Sequence, residues 1–321
     1  MAQSQKIEFS EAMQSDLFYL PEPKILLSKP AIGGTGSTHR FQRLIASQYT
    51  NKNNIYSRLL SMMGTGPCGQ NIRDAFIAYT RNNPDADDKS ILQNLAVARM
   101  ESEKKNKCTL EDRGDKRAIQ IYNWLDQAIL TNLVDTNYVD FGGNLWHNAQ
   151  AIANALDLGQ INIVDILPPR GELPKEIKYF QITDSLPFEA DSIGLITALM
   201  VLHHIKDPAP TIAEFFRVLK PGGIVIVREH DIRQTFSDAD DTSELIDLID
   251  TLHLMHHSVW QSETDFCCEE YGPDLGTYYL SFNVWTAMFI NAGFSPLCDP
   301  LLEVNFRKNW YNSGYLAFLK I

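Results

Sequence analysis

Residues Tyr138–Asn144, which read YVDFGGN, combine a carboxylate with a glycine turn. The first residues are typical of a short buried strand that Asp140 closes, and Gly142 and Gly143 begin a tight turn. A helix is predicted directly afterwards, over 146–156. In α/β folds, this succession of strand, turn and helix lets the backbone approach a nucleotide-like ligand, and unpaired N–H groups at the helix start can bind it.

Further polar residues stand where other apolar segments end. Asp165 lies near the end of the second segment, Asp184 follows the third, and Thr197 ends the fourth. Ionised carboxylates only accept hydrogen bonds, so these acids suit ligands with hydroxyl or amino groups. Each acid also has a structural interpretation, since Asp140 could cap the following helix and Asp184 could shape a turn.

The second half of the chain alternates apolar strand patterns with helical ones. Continuous β-branched runs such as 224–227 are typical of strands buried on both faces of a parallel sheet. Strands are predicted at 138–140, 161–166, 179–182, 192–197, 224–227, 300–306 and 314–319. The alternation predicts an α/β fold with a doubly wound, mostly parallel, seven-stranded sheet that binds its ligand at the carboxyl ends of the strands.

The order and spacing of several short motifs resemble the class I S-adenosylmethionine-dependent methyltransferases, in particular the branch with an LPF step and an LKPGG turn. The matching strings are VDFGGN, IVDI, TDSLPFEADSIGLIT, VLHHIKDPAPTIAEFFRVLKPGGIVIV and WTAMFINAGF. The resemblance is good over about 135–230 and looser over 280–321. It implies a Rossmann-like methyltransferase core, S-adenosyl-L-methionine as cofactor, and transfer of a methyl group to an acceptor.

The resemblance also implies roles for individual residues. The glycine turn and its acid would lie against the methionine part of the cofactor, Asp165 would accept hydrogen bonds from the ribose hydroxyls, and Asp184 with Ser185 would meet the adenine. The end of the fourth strand would face the sulfonium. The implied cofactor residues are Asp140, Gly142, Gly143, Asn144, Asp165, Ile166, Asp184, Ser185, Thr197 and Leu199.

The glycine turn departs from the family pattern. The family usually places glycine at alternate positions, here 142, 144 and 146, but this chain has Asn144 and Trp146. A catalytically inactive methyltransferase fold that acts as a subunit or regulator therefore stays open as an alternative. A dehydrogenase is a weaker one, because Asn144 and His147 occupy the second and third glycine positions of a dinucleotide fingerprint.

Candidate catalytic residues are Glu229, His230 and His203. The first two follow the fifth strand, whose end should point at the ligand cleft, and either could accept a proton or anchor the substrate. The neighbouring Arg228 could hold an anionic group. His203 and His204 follow the fourth strand, where a ring could contact substrate or be packed structurally.

Two regions lie outside the minimal fold. Residues 1–130 predict an N-terminal arm and a helical region, and 131–321 the methyltransferase core. Residues 232–279 are an insertion that predicts a lid helix over 245–260. A zinc site from its histidines and cysteines is a weaker interpretation because their spacing matches no familiar finger, so no metal is expected. The residues concerned are His253, His256, His257, Cys267 and Cys268.

The composition limits the cellular compartments and the classes of methyl acceptor that we expect. Five cysteines without a CxxC pair indicate free thiols in a reducing compartment, and the N-terminus lacks a signal-peptide pattern, so we expect a cytoplasmic protein without membrane spans. The net charge of −12 argues against a broad nucleic-acid surface. A small-molecule or protein acceptor is therefore slightly favoured, and RNA, including a cap of viral type, is the alternative. The sequence does not give the oligomeric state.

Overall fold

The computed structural model describes residues 41–42, 45, 60, 66–106, 111–143, 146–169, 172–182, 185–231, 280–302 and 312–321. The strands are β1 (Tyr138–Phe141), β2 (Ile161–Asp165), β3 (Ile177–Gln181), β4 (Ile193–Leu199), β5 (Leu219–Asp231), β6 (Phe294–Pro296), β7 (Leu301–Leu302) and β8 (Asn312–Lys320). The helices used below are α1 (Gly66–Asn82), α2 (Asp88–Asn106), α3 (Glu111–Trp124), α4 (Gln127–Leu133), α5 (Trp146–Leu156), α6 (Ala209–Val218) and α7 (Phe282–Asn291).

Seven strands form one mixed sheet in the order β3-β2-β1-β4-β5-β8-β6, and the short β7 pairs with β8 beside this order. The first five strands pair in parallel, whereas β8 runs antiparallel to both β5 and β6. The order reverses at β1, where the chain steps outward to β2 on one side and to β4 on the other. The predicted doubly wound, mostly parallel sheet is confirmed, and a ligand cleft is expected at this reversal.

Helices cover both faces of the sheet. Neighbouring side chains of its central strands point to opposite faces, so both sets of side chains are buried. Tyr138 belongs to the core that α3, α4 and α5 cover, while Val139 belongs to the core beneath α6 and α7. The predicted run 224–227 divides in the same way and is fully buried. Burial on both faces is the reason that these strands are continuously apolar.

Several boundaries differ from the sequence prediction. The fifth strand continues to Asp231, so Glu229 and His230, which were predicted to follow it, lie within it and pair with β8. The turn predicted at 220–223 is part of β5, where it makes a bulge: Ile193 pairs with Leu219, and the next pair is Leu195 with Ile224. The apolar residues at three- and four-residue spacing over 116–132 predict a single helix, but the structure has two, α3 and α4. The Asp126 side chain accepts a hydrogen bond from the Ala128 N–H at 2.8 Å and caps the start of α4, so a new helix begins there.

Three further predictions concern membrane spans, the insertion at 232–279 and the domain boundary. Among the described residues, no helix is both long and apolar enough to cross a membrane. The predicted lid helix and the candidate zinc ligands fall within 232–279, outside the described residues. The domain boundary at residue 130 stays a prediction, and α3 packs with α5 on one face of the sheet.

Candidate functional site

The carboxyl ends of the parallel strands bring most of the predicted cofactor residues to one edge of the sheet. The pairing places Asp140 of β1 beside Thr197 of β4, while Asp165 is the last residue of β2 and Leu199 the last of β4. These residues come from sequence positions up to about sixty apart. Two others, Asn144 and Asp184, lie outside the described residues.

The glycine turn after β1 is closely packed. Gly142 has a φ of 74°, and its N–H donates to the Val164 carbonyl of β2 at 2.7 Å. A Cβ at this position would lie only 2.8 Å from the Cβ of Val201, and a Cβ on Gly143 would lie 2.7 Å from the carboxyl carbon of Asp140. Both positions therefore need glycine, the first for its backbone conformation as well as for space.

Asp140 is a buried carboxylate held by a chain of hydroxyl groups. The Thr197 hydroxyl donates to Asp140 Oδ1 at 2.6 Å, and the Tyr138 hydroxyl lies 2.7 Å from Thr197 Oγ1. Since Thr197 has one proton and gives it to the carboxylate, Tyr138 must donate to Thr197. All three residues are at most 3% exposed.

Burial dominates the electrostatics of this group. Burial is the main cause that raises the pKa of the Asp140 carboxyl from 3.8 to about 6. Nearby Asp165 contributes to the rise, whereas the Thr197 hydrogen bond and the charge of Arg117 on α3 oppose it. Burial beside the Asp140 charge also raises the pKa of Tyr138 well above 10. Asp140 is therefore mostly ionised at neutral pH, at a cost in stability.

The end of β2 offers a half-buried acid and an exposed apolar side chain. Asp165 Oδ1 accepts a hydrogen bond from the Leu167 N–H at 3.0 Å, and the Asp165 carbonyl accepts one from Ile182 at 3.0 Å. The Tyr179 hydroxyl and the Gln181 amide donate to carbonyl groups of the same loop at 2.8 and 2.9 Å. The loop is thereby fixed while Ile166 stays 64% exposed, an apolar surface beside the acid.

The LPF segment after β3 is held in place from α6. Arg217 donates to the carbonyl groups of Leu186 and Phe188 at 3.1 and 2.9 Å, and Glu214 accepts the Leu186 N–H at 3.2 Å. Glu214 and Arg217 also pair with each other at 2.8 Å, and that hydrogen bond lowers the pKa of Glu214. Ser185, exposed at the start of this segment, thus sits on a fixed loop.

The predicted catalytic residues form one buried group beside the end of β4. Both carboxylate oxygens of Glu229 accept hydrogen bonds, one of them from His203 Nδ1 at 2.6 Å. The ring of His230 lies 5.1 Å from that of His203, and the ring of His204 lies 4.2 Å from it. Glu229, His203 and His230 are at most 4% exposed, so they lie beneath the edge of the sheet rather than on its surface.

Sequence reasoning missed Tyr138 and Val201 as parts of the site. Tyr138 was interpreted only as a strand residue, although a phenol in a strand buried on both faces needs a hydrogen-bond partner. That requirement was the available signal for the hydroxyl chain. Val201 carries no chemical signal, because its contact with Gly142 depends on how two distant loops meet.

The sheet order, its reversal at β1 and the glycine turn there define a Rossmann-like fold of the class I methyltransferase type. Residues 148–227 match the family model described as Methyltransferase domain. Over this segment the described core is therefore similar to methyltransferase domains, and the class I methyltransferases that the sequence resembles use S-adenosylmethionine as methyl donor.

Known proteins similar to this chain are methyltransferases. It is 30% identical over 109 residues to a ubiquinone biosynthesis O-methyltransferase of Pseudomonas putida (strain W619) and 31% identical over 111 residues to that of Pseudomonas fluorescens (strain SBW25). Each match covers 32% of this chain and 47% of the relative, so the chain spans about half the length of these relatives.

Among solved structures, the fold is similar to a geranyl diphosphate methyltransferase in complex with GPP and sinefungin. That likeness has a TM-score of 0.45 at 9% identity and covers 61% of this chain and 76% of the other. A phosphoethanolamine N-methyltransferase 2 of Haemonchus contortus, in complex with S-adenosyl-L-methionine, gives a TM-score of 0.41 at 13% identity, over 65% of this chain and 52% of the other.

The residues at the edge fit S-adenosylmethionine chemically. The cofactor carries a cationic amino-acid end, a ribose diol and an adenine. The buried Asp140 carboxylate beside a turn without room for side chains suits the cationic end. Asp165 can accept hydrogen bonds from hydroxyl groups, and Ile166 offers an exposed apolar surface next to it. The strand ends therefore present the charge of Asp140, the hydrogen-bond acceptors of Asp165 and the apolar surface of Ile166 one after the other.

Proposed function

We propose that the protein transfers a methyl group from S-adenosylmethionine to a hydroxyl oxygen of a small molecule. The observation that carries this proposal is the ionised, buried Asp140 against the glycine turn at the reversal of the sheet. The ubiquinone biosynthesis O-methyltransferases similar to the chain support an oxygen acceptor. The net charge of −12 supports a small molecule over RNA.

The proposed cofactor residues divide into three groups. Asp140, Gly142, Gly143 and Asn144 would hold the methionine end, with Thr197 and Leu199 beside them at the end of β4. Asp165 and Ile166 would receive the ribose and one face of the adenine, and Asp184 with Ser185 the adenine edge. When bound, S-adenosylmethionine supplies an electrophilic methyl group on a sulfonium. The protein's main task is then to align that methyl group with the acceptor.

A hydroxyl acceptor must lose its proton during the transfer, so the site needs a proton acceptor. Glu229, His230 and His203 were predicted for this role. Glu229 already accepts hydrogen bonds at both oxygens, and direct proton uptake would break them. We therefore assign proton uptake to a histidine, His203 or His230, and a supporting role to Glu229.

The experiment is calorimetric titration of the purified protein with S-adenosylmethionine and S-adenosylhomocysteine. We expect binding in the micromolar range for the wild type and a loss of tenfold or more in Asp165→Ala, because the ribose acceptor is removed. Glu176→Ala is the matched control, since it removes one acid just before β3, at the opposite edge of the sheet. Folded wild-type protein that binds neither compound would contradict the proposed function.

The second candidate is a catalytically inactive methyltransferase-fold subunit, favoured by Asn144 and Trp146 at positions where the family has glycine. Binding of S-adenosylhomocysteine without turnover on any hydroxyl acceptor would support it.

For the compartment, we propose the cytoplasm, which the five cysteines without a CxxC pair support.

A further inference from the structure

Glu229 caps the turn that follows β4. Its Oε1 atom accepts hydrogen bonds from three consecutive backbone N–H groups, those of Val201 at 3.1 Å, Leu202 at 2.8 Å and His203 at 3.4 Å. These are the first N–H groups of a 3₁₀ turn over Leu202–His204, which have no partner within the turn itself. The Glu229 carboxylate, which comes from β5, therefore satisfies the N–H groups that a capping residue at the start of a helix normally satisfies.

The second carboxylate oxygen fixes the turn from the side. Glu229 Oε2 lies 2.6 Å from His203 Nδ1, and both side chains are 1% exposed. Because a carboxylate accepts, His203 donates through Nδ1, which sets the tautomer of its ring. One buried acid thus holds both the backbone and a side chain of the turn.

The backbone of this turn needs such support. Met200, between β4 and the turn, has a φ of 64°, a left-handed conformation that costs about 1–2 kcal/mol for a residue with a side chain. Its N–H donates to the Arg228 carbonyl at 2.7 Å, so the residue directly before Glu229 holds the turn as well. The end of β5 therefore determines the path of the chain after β4.

Val201 connects the turn after β4 to the glycine turn. Its side chain lies against the Cα of Gly142, so closely that a Cβ there would come within 2.8 Å of the Val201 Cβ and 3.3 Å of its Cγ1. Gly142 in turn is fixed from the other side through its hydrogen bond to Val164. A shift of Val201 would leave the glycine turn unsupported on one side.

We infer that Glu229 is a positioning residue that shapes the proposed cofactor site by holding Val201 against Gly142. This inference rests on the proposed function and deepens it, since it assigns Glu229 to the architecture of the methyl-donor site. The path of the effect runs from β5 through the turn after β4 to the turn after β1. All the contacts are buried or half-buried, so the effect passes through packed groups.

The test compares Glu229→Ala and Glu229→Gln with the wild type. Amide hydrogen exchange over 199–205 reports on the turn, and calorimetry with S-adenosylhomocysteine reports on the site. We expect Glu229→Ala to lose protection at 201–203 and to weaken binding about tenfold. Glu229→Gln keeps one oxygen for the N–H groups and should weaken binding less. Phe289→Leu is the control for lost stability, because Phe289 packs on Phe318 in the core that also contains Leu202 of the turn.

The outcomes separate the inference from the proposed function. Weaker binding in the Glu229 variants, at a temperature where they and Phe289→Leu are folded, supports positioning if the control binds like the wild type. Equal binding by Glu229→Ala and the wild type would overturn the inference and leave the proposed function intact, whether or not exchange changes. If the wild type itself binds neither cofactor nor product, the proposed function fails and the inference fails with it.

Discussion

Asp140→Asn is expected to be more stable than the wild type at pH 8 and to bind S-adenosylmethionine at least tenfold more weakly. The folded protein holds this carboxyl with a pKa of about 6 instead of 3.8, because burial disfavours its charge. Since each pKa unit corresponds to roughly 1.4 kcal/mol, ionisation of Asp140 costs about 3 kcal/mol of stability. An amide of the same shape avoids that cost but offers no charge to a cationic ligand.

The pH dependence gives the sign of this effect. In the range between the two pKa values, the folded wild type binds more protons at Asp140 than the unfolded chain does, so this group's contribution to stability falls as pH rises from about 4 to 6. Below that range the wild type and Asp140→Asn should be similar, and above it the variant should be more stable by about 1–3 kcal/mol. Urea unfolding followed at pH 4 and pH 8 measures the difference.

Thr197→Val is the control with the opposite sign. It removes the hydroxyl that donates to Asp140 Oδ1 and leaves the charge without that donor, so it should destabilise the protein most at high pH. Thr197→Ser keeps the hydroxyl and should behave more like the wild type. If Asp140→Asn were less stable than the wild type by the same free energy of unfolding at pH 8 and at pH 4, burial of the charge would not be the dominant effect.

Gly142→Ala is expected to destabilise the fold by about 2–5 kcal/mol and to weaken cofactor binding. The left-handed backbone at this residue accounts for about 1–2 kcal/mol, since its φ is 74°. The new methyl group would also overlap Val201, and overpacking of this kind costs about 1–3 kcal/mol more. The glycine turn or the turn after β4 has to move, and either movement alters the proposed site.

Gly222→Ala separates the two costs. Gly222 has nearly the same backbone conformation, with a φ of 78°, but a Cβ there meets no atom within 4 Å. It should therefore lose only about 1–2 kcal/mol and keep the cofactor affinity of the wild type. Thermal unfolding and calorimetry on both variants provide the comparison. Equal losses in the two variants would mean that contact with Val201 contributes nothing.

Much of the fold was predictable because its signals are local. The apolar runs that became β1, β2, β4 and β5 are buried on both faces, and this burial is what made them recognisable without any alternation. The short β6, of three residues, has too few side chains to give a pattern and was not predicted. The end of α3 was misplaced because a helical pattern continues through Asp126, and only its capping hydrogen bond marks the break.

The site was predictable in its positions, and the roles of its residues stay predictions. Asp165 ends β2, Asp140 and Thr197 lie near the ends of β1 and β4, and parallel strands must end at one edge. The environment of a side chain, in contrast, depends on groups far away in the chain. Glu229 stands in the sequence as one polar residue of a strand exit, which suits a proton acceptor. In the structure it is fully buried and bound to a turn 26 to 28 residues earlier.

The sequence by itself determined the alternation of strands and helices in the sheet, apart from the short β6, and the glycine turn after β1. It also placed Asp140, Asp165 and Thr197 near the carboxyl edge. These properties follow from local periodicity and from the rule that parallel strands share an edge. Only the tertiary structure decided that Asp140 is buried with a raised pKa, that Tyr138 supports it through Thr197, and that Val201 touches Gly142. The physical reason is that desolvation and packing depend on neighbours from other strands, whose distances the spacing of residues along the chain does not specify.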